Sequence, residues 1–131
     1  TGAVLKEALE NGVSQVEEGA GRFPQVAGMS FVFDASAEPG NRITEIMVGG
    51  APLDMDKTYG VVSNNYVRNG GDGYKMFATE ATKVYDFGPD LADAQLVAEL
   101  ADVGDAVALD ACVADVDLAR GAEGKGFVGE I

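Results

Sequence analysis

The densest group of residues suited to holding a small polar ligand lies in residues 65–74, which read NYVRNGGDGY. Three glycines surround Asp72 here, and glycine lets the backbone take positive φ angles and come close to a ligand. A carboxylate held in such a loop can accept two hydrogen bonds from a diol such as that of ribose. Tyr66, which precedes Asp72 in this segment, offers a flat face for stacking. The alternative, which the pattern alone favours, is a tight turn in which Asp72 caps backbone amides.

A second candidate segment, residues 21–28, reads GRFPQVAG. Phe23 lies beside a proline and near glycines, where an aromatic ring can be exposed. Gln25 carries both a donor and an acceptor, which suit the edge of a base. The alternative, which the pattern alone again favours, is that Phe23 is a core residue.

Several kinds of catalytic and metal chemistry are excluded by composition. The chain has no histidine, which excludes Ser-His-Asp and Cys-His nucleophilic systems and any metal site that needs histidine. Cys112 lies in an apolar run without a basic neighbour, so we expect an inert buried thiol. A calcium loop beginning at Asp115 would need glycine at Arg120 and glutamate at Gly126, so that motif fails. We therefore predict no catalytic residue and no metal ligand in this chain.

Charge and hydropathy exclude further kinds of partner. The 131 residues fit one domain, and 47% of them are hydrophobic, which is typical of a globular protein. The net charge is −13 and no cluster of basic residues exists, so we expect no binding to nucleic acid and repulsion from anionic membranes. No apolar stretch approaches the roughly 18 residues of a membrane span. Such acidity is typical of secreted or salt-adapted proteins, in which the negative charge maintains solubility.

One α+β domain is predicted, a mixed sheet with packed helices. Apolar residues at three- and four-residue spacing indicate a helix over residues 3–18, which the following glycines end. Alternating apolar residues predict strands over 23–34 and 42–48, joined as a hairpin through the turn 38–41. The remaining expectations are a strand over 57–63, the candidate binding loop over 64–74, a short strand over 83–87, a helix from Gly88-Pro89 to about Val103, a helix or strand within 105–118, and a short last strand at Phe127-Val128.

Three segments follow one another in a characteristic order: TGAVLKEALE at residues 1–10, GRFPQVAG at 21–28 and NYVRNGGDGY at 65–74. In their order and spacing they resemble the C-terminal domain of 5′-nucleotidases, UDP-sugar hydrolases and 2′,3′-cyclic-nucleotide phosphodiesterases. The resemblance covers about residues 1–90 and is weak afterwards. Its most specific part is the string Asn-aromatic-x-x-Asn-Gly-Gly-Asp-Gly-aromatic.

The resemblance implies how a nucleotide would be held. Two aromatic rings sandwich the nucleobase in that family, and they match Phe23 and Tyr66 here. The aspartate of the glycine-rich string, Asp72, would bind the ribose hydroxyls. Gln25 stands where some relatives have an asparagine that contacts the base, and Tyr66 replaces the more usual phenylalanine. The implied substrate-binding residues are Phe23, Gln25, Tyr66, Asn69, Gly70, Gly71, Asp72 and Gly73.

The resemblance also implies a larger protein. The family's phosphate-binding arginines and its two-metal catalytic domain come before the helix that opens this chain. Residues 1–131 would then be a single, N-terminally truncated copy of the substrate-binding domain. We expect no cofactor in this chain, two divalent metal ions in an N-terminal metallophosphatase domain, and a nucleotide or nucleoside as ligand. The parent would be a periplasmic or extracellular hydrolase of nucleotides, and this chain alone would hydrolyse nothing.

Two other functions stay open at this point. One is a non-catalytic module that binds a nucleoside or a sugar with the same domain. The other is a sulfur-oxidation relative of the same architecture, acting on a small sulfur-bearing group, although the presence of both aromatic residues disfavours it. A metallophosphatase domain upstream would favour the enzyme over both.

Overall fold

The computed structural model describes residues 1–86, 106–111 and 125–128. Its elements in chain order are α1 (Gly2–Val13), a 3-10 turn (Val16–Glu18), β1 (Pro24–Ala27), β2 (Met29–Asp34), β3 (Ile43–Val48), β4 (Ala51–Pro52), β5 (Gly60–Val62), α2 (Asn65–Arg68), a second 3-10 turn (Gly71–Gly73), α3 (Lys75–Thr79), β6 (Ala106–Ala111) and β7 (Lys125–Val128). These helices and strands confirm the predicted α+β class. None of the helices in these ranges is long and apolar enough to cross a membrane.

Helix α1 is amphipathic and packs against β1, β3 and α3. Its buried apolar residues follow the three- and four-residue spacing of one helix face; they are Leu5, Ala8, Leu9 and Val13. The first two helical amides are satisfied by a distant loop, because Gly2 donates to the Lys57 carbonyl at 3.0 Å and Ala3 to the Met55 carbonyl at 3.0 Å. The helix is therefore held to the loop after β4 by its backbone as well as by its apolar face.

The predicted helix over 3–18 is shorter in the structure. It ends at Val13, where the Ser14 hydroxyl donates to the Asn11 carbonyl at 2.7 Å. Such a local side-chain bond competes with continuation of the helix. A separate 3-10 turn follows and ends at Gly19, which takes the left-handed conformation with φ 64°. The expectation that glycine would close this segment is confirmed.

The described strands form two sheets. The first has the order β1-β6-β5, with β1 antiparallel and β5 parallel to β6. The second has the order β4-β3-β2-β7 and is antiparallel throughout. The first is the predicted mixed sheet, whereas the second was not foreseen as a separate sheet.

The predicted extended segment over 23–34 is divided between the two sheets. Gly28, with φ 74°, separates β1 from β2, and this positive φ turns the chain out of one sheet and into the other. Met29, Phe31 and Phe33 alternate as the buried face of β2. The predicted hairpin is confirmed as the β2–β3 pair, in which Phe31 lies opposite Ile46.

The elements after β4 agree with the sequence predictions only in part. The strand expected over 57–63 is limited to β5, and no strand forms at residues 83–86. Val84 and Tyr85 in this segment are exposed, so the apolar residues that predicted a strand are not buried against a sheet. The ambiguous run 105–118 contains β6, and β7 includes the expected last strand at Phe127-Val128. The helix expected from Gly88-Pro89 to Val103, together with Phe87, lies outside the described residues.

Two buried charged side chains join α1 to the start of β3. The carboxylate of Glu10 accepts hydrogen bonds from the backbone amides of Arg42 at 3.0 Å and Ile43 at 2.9 Å. The Arg42 guanidinium donates to the carbonyls of Val13 at 2.7 Å and Ala37 at 2.9 Å. It also pairs with the exposed carboxylate of Glu17. Each buried charge is thus matched by partners, which burial of charge requires.

The Glu17–Arg42 pair should make stability depend on pH. The hydrogen bond from Arg42 lowers the pKa of the Glu17 carboxyl below its ordinary value of 4.5. A lowered folded-state pKa gives stability that is complete above the unfolded pKa and is lost as the pH falls through the folded one. We expect Glu17→Gln to lower the melting temperature at pH 7 and to flatten its fall below about pH 4.5.

Circular dichroism melts between pH 7 and pH 3 measure this effect. Glu18→Gln removes the same charge from the next residue and serves as the control. A pH profile of Glu17→Gln that matches the wild type would contradict the assignment.

Candidate functional site

The segment predicted as a loop over 64–74 is built from two short helical turns around a backbone reversal. The Asn64 side chain caps α2 by accepting a hydrogen bond from the Val67 amide at 2.8 Å. After α2 the chain reverses at Gly70, with φ 91°, and enters the second 3-10 turn. Within the described residues, Asp72 is the one non-glycine residue with a positive φ, 50°. Aspartate tolerates this conformation better than most residues, and such positions cluster at binding sites.

Tyr66 stands at this reversal with a partly open ring. This residue is 57% exposed. A Cβ atom added to Gly71 would lie 2.5 Å from Cε1, 2.5 Å from Cζ and 2.6 Å from Cδ1 of the Tyr66 ring. These near-equal distances place the added atom over the middle of the ring, so the Gly71 backbone covers one ring face. The exposed area of Tyr66 therefore lies mainly on the opposite face and the edge.

The carboxylate of Asp72 lies next to this ring. The Tyr66 hydroxyl donates to Asp72 Oδ1 at 3.1 Å. The Asp72 carbonyl accepts a hydrogen bond from Asn11 Nδ2, on α1, at 3.0 Å. A flat aromatic surface and an acidic acceptor are thus held side by side, with the backbone between them tied to the first helix.

Residues 21–28 are tied to the same loop through buried Tyr74 and through Asn11. The Tyr74 hydroxyl donates to the Arg22 carbonyl at 2.6 Å. Burial raises the pKa of this phenol, and the nearby Asp72 raises it further, while Arg22 opposes them. The phenol therefore stays protonated and remains a donor at neutral pH. Arg22 also contacts Asn11, with Nη1 at 3.5 Å from Oδ1.

A family model described as "5'-nucleotidase, C-terminal domain" matches residues 1–79. The chain belongs to the 5′-nucleotidase C-terminal domain family. The match contains all three segments on which the sequence resemblance rested, so that prediction is confirmed. No solved structure is significantly similar to this chain.

Curated relatives are much longer than this family domain. The chain is 45% identical over 93 residues to the trifunctional nucleotide phosphoesterase protein YfkN of Bacillus subtilis, covering 67% of this chain and 6% of that protein. It is 38% identical over 90 residues to the 5′-nucleotidase of Rattus norvegicus, covering 63% of this chain and 16% of that protein. It is 35% identical over 89 residues to a snake venom 5′-nucleotidase of Macrovipera lebetinus, covering 62% of this chain and 22% of that protein. The chain thus corresponds to less than a quarter of each.

Part of the predicted substrate-binding set comes together in this family domain. Tyr66, Gly71 and Asp72 form one contiguous cluster. Gly70 and Gly73 provide the positive φ angles on either side of it. Asn69 ends α2 and donates to the Asn65 carbonyl at 2.8 Å, so its observed role is to shape the turn.

The other two predicted residues lie elsewhere. Phe23 is 5% exposed and packs against Phe31 and Phe33, with ring centroids 6.3 Å and 5.9 Å away. This is the core alternative that the sequence left open, and a ring so enclosed offers no face to a base. Gln25 is half-buried on β1, opposite Asp110 of β6. No hydrogen bond among the described residues joins Gln25 to the Tyr66–Asp72 cluster.

Sequence reasoning assigned no role to two residues that shape the site, Asn11 and Tyr74, although Tyr74 is the last residue of the candidate segment. The side-chain amide of Asn11 donates to the Asp72 carbonyl, and the buried hydroxyl of Tyr74 donates to the Arg22 carbonyl. The available signal was Asn11 followed by Gly12 inside a helical pattern, since both residue types are poor helix formers. Among the described residues, no group of three or more acidic or cysteine side chains could hold a metal ion.

Close packing of Gly73 on Asn11 gives a testable expectation. Gly73 has φ 85°, and a Cβ atom there would lie 2.5 Å from Asn11 Oδ1. Gly73→Ala should therefore cost about 1–2 kcal/mol of backbone strain plus about 1 kcal/mol for the disturbed Asn11 hydrogen bond. Gly19→Ala is the matched control, because Gly19 has φ 64° with nothing within 4 Å of an added Cβ. Denaturant unfolding measures both, and equal losses would refute the contact.

Tyr74→Phe tests the link between the two segments. The change keeps the buried ring and leaves the Arg22 carbonyl without its 2.6 Å donor. We expect the free energy of unfolding to fall by about 1–3 kcal/mol. Tyr85→Phe, at a residue that is 79% exposed, should lower it less, because no buried carbonyl is left without water or another donor. A similar small effect for both variants in denaturant titrations would show that the Tyr74 hydroxyl is dispensable.

Proposed function

We propose that this family domain recognises the nucleoside part of a nucleotide for a metal-dependent 5′-nucleotidase-type phosphohydrolase. The observation that carries the proposal is the Tyr66 ring, open on one face, beside the carboxylate of Asp72. A nucleoside complements both groups, because its flat base can stack on the ring and its ribose diol can donate hydrogen bonds to the carboxylate. The names of the relatives, nucleotide phosphoesterase and 5′-nucleotidase, support the same ligand class.

Tyr66 provides the stacking surface in this proposal. Stacking of a base on an aromatic side chain contributes about 1–3 kcal/mol and tolerates different bases. The uncovered face of Tyr66 receives the base, because the other face is occupied by the Gly71 backbone. Phe23 is a core residue that packs against Phe31 and Phe33, and it takes no part in stacking in this proposal.

Asp72 provides the ribose contact. Its carboxylate can accept hydrogen bonds from two hydroxyl groups, and charged acceptors form the stronger kind of hydrogen bond. Asp72 lies in a turn shaped by its own positive φ and by those of Gly70 and Gly73. Arg22 is half-buried against α1 and is not assigned to the phosphate.

Hydrolysis belongs to the rest of the parent protein in this proposal. The chain covers 6% and 16% of its first two relatives, so each has ample chain for a separate catalytic domain. We assign two divalent metal ions to an N-terminal metallophosphatase domain, where they would activate water and stabilise the phosphoryl oxygens. This chain holds the substrate and carries no catalytic residue. We place the parent in the periplasm or outside the cell, which the acidic composition of this chain and a relative named for snake venom support.

An NMR titration of the chain with adenosine tests nucleoside recognition. The wild type should bind weakly, with shifts centred on residues 66–73. Tyr66→Ala and Asp72→Ala should each weaken binding by about five- to a hundredfold, because each removes one of the two recognition elements. Tyr85→Ala, another exposed tyrosine, is the matched control and should bind as the wild type does.

Two outcomes would contradict the proposal. One is no binding by a wild-type chain that circular dichroism shows to be folded. The other is binding that neither Tyr66→Ala nor Asp72→Ala weakens.

Guanosine and cytidine should bind with a Kd within a small factor of that for adenosine, because stacking does not distinguish the hydrogen-bonding edges of the bases.

A further inference from the structure

We propose that the Tyr66 hydroxyl determines how strongly the site selects for the ribose diol, by fixing the orientation of the Asp72 carboxylate. This inference rests on the proposed nucleoside function and adds a second role for Tyr66 besides stacking. Tyr66 acts on the diol through Asp72, so it is a positioning residue in this respect. The contact that carries the inference is the hydrogen bond from Tyr66 Oη to Asp72 Oδ1 at 3.1 Å.

Asp72 is held at two points from two different helices. Its backbone carbonyl is fixed by Asn11 Nδ2 of α1 at 3.0 Å, and its carboxylate by the hydroxyl of Tyr66 of α2. Without the second bond the carboxylate could rotate about its side-chain torsions, and ordering it on binding would cost conformational entropy. With that bond, Oδ1 is engaged and Oδ2 is presented in one direction.

The ring that donates this bond is itself fixed in place. The Gly71 backbone covers one ring face, and Gly71 directly precedes Asp72 in the chain. The stacking face, the hydroxyl and the carboxylate are therefore joined by direct contacts in one arrangement. A base seated on Tyr66 places its ribose at a set distance from Asp72, so a correctly oriented carboxylate favours nucleosides that carry both hydroxyls.

The carboxylate keeps enough capacity for the diol. Two carboxylate oxygens offer about four lone-pair sites, and the Tyr66 hydroxyl occupies one of them. Oδ2 and the second site of Oδ1 remain for the ribose hydroxyls. The hydrogen bond from Tyr66 thus orients the Asp72 carboxylate and leaves it able to accept hydrogen bonds from the ribose.

Tyr66→Phe separates the two roles of this residue, because phenylalanine keeps the stacking ring and loses the donor. The measurement is the Kd of wild type and variant for adenosine and for 2′,3′-dideoxyadenosine, by NMR titration. We expect Tyr66→Phe to weaken adenosine about fivefold and to leave 2′,3′-dideoxyadenosine unchanged. The selectivity for the diol then falls by the same factor.

Controls isolate the path through Asp72. In an Asp72→Ala background, Tyr66→Phe should produce no further change in selectivity, as a double-mutant cycle requires for two groups that act together. Tyr85→Phe should leave the Kd values for both nucleosides as in the wild type. A loss of selectivity that persists in the Asp72→Ala background would overturn the inference.

The remaining outcomes are distinguishable. Equal weakening of both nucleosides by Tyr66→Phe would mean that the hydroxyl supports the ring or the fold, and the inference fails. A rise in selectivity would mean that the hydroxyl competes with the ribose for Asp72, and the inference also fails. Either result, with adenosine binding still sensitive to Tyr66→Ala, leaves the proposed nucleoside function intact. No adenosine binding by the wild type overturns both.

Discussion

The packing of α1 between the β2–β3 hairpin and the candidate loop is the constraint on which the described structure depends. Two adjacent residues of this helix contact the hairpin and the candidate loop, respectively. Glu10 accepts the backbone amides at the start of β3, and Asn11 holds the backbone of Asp72. Successive helical residues point about 100° apart, so one turn of helix can bind both partners at once. The position of the loop relative to the core is set by this turn.

Buried charge fixes the orientation of α1 more sharply than apolar packing does. An apolar face tolerates small rotations, whereas a buried carboxylate or guanidinium must meet each of its partners to offset its loss of hydration. Glu10 and Arg42 are both nearly inaccessible; the Glu10 carboxylate accepts two hydrogen bonds, and the Arg42 side chain bonds to three residues. A rotation of α1 would break several of these bonds together, and so the direction of Asn11 towards the loop is fixed as well.

The loop of the candidate ligand site is supported from the core of the domain. Tyr66 and Asp72 are exposed or half-exposed, but the backbone beneath them is held by Asn11 and Tyr74. A pre-ordered site avoids the entropy cost of arranging a ring and a carboxylate when the ligand arrives. Helix α1 of this chain thus supports a turn that lies about sixty residues away in sequence, since Asn11 bonds to Asp72 with a separation of 61 residues.

The sequence by itself determined the features that depend on local chemistry. Alternation in Met29, Phe31 and Phe33 predicted β2, the apolar spacing predicted α1, and the NGGDG string at residues 69–73 identified the family. Only the tertiary structure decided which ring is buried, because Phe23 and Tyr66 are both aromatics beside glycines. Phe31 and Phe33, brought over by the turn at Gly28, enclose Phe23. Burial depends on neighbours that the chain path brings together, which local sequence does not encode.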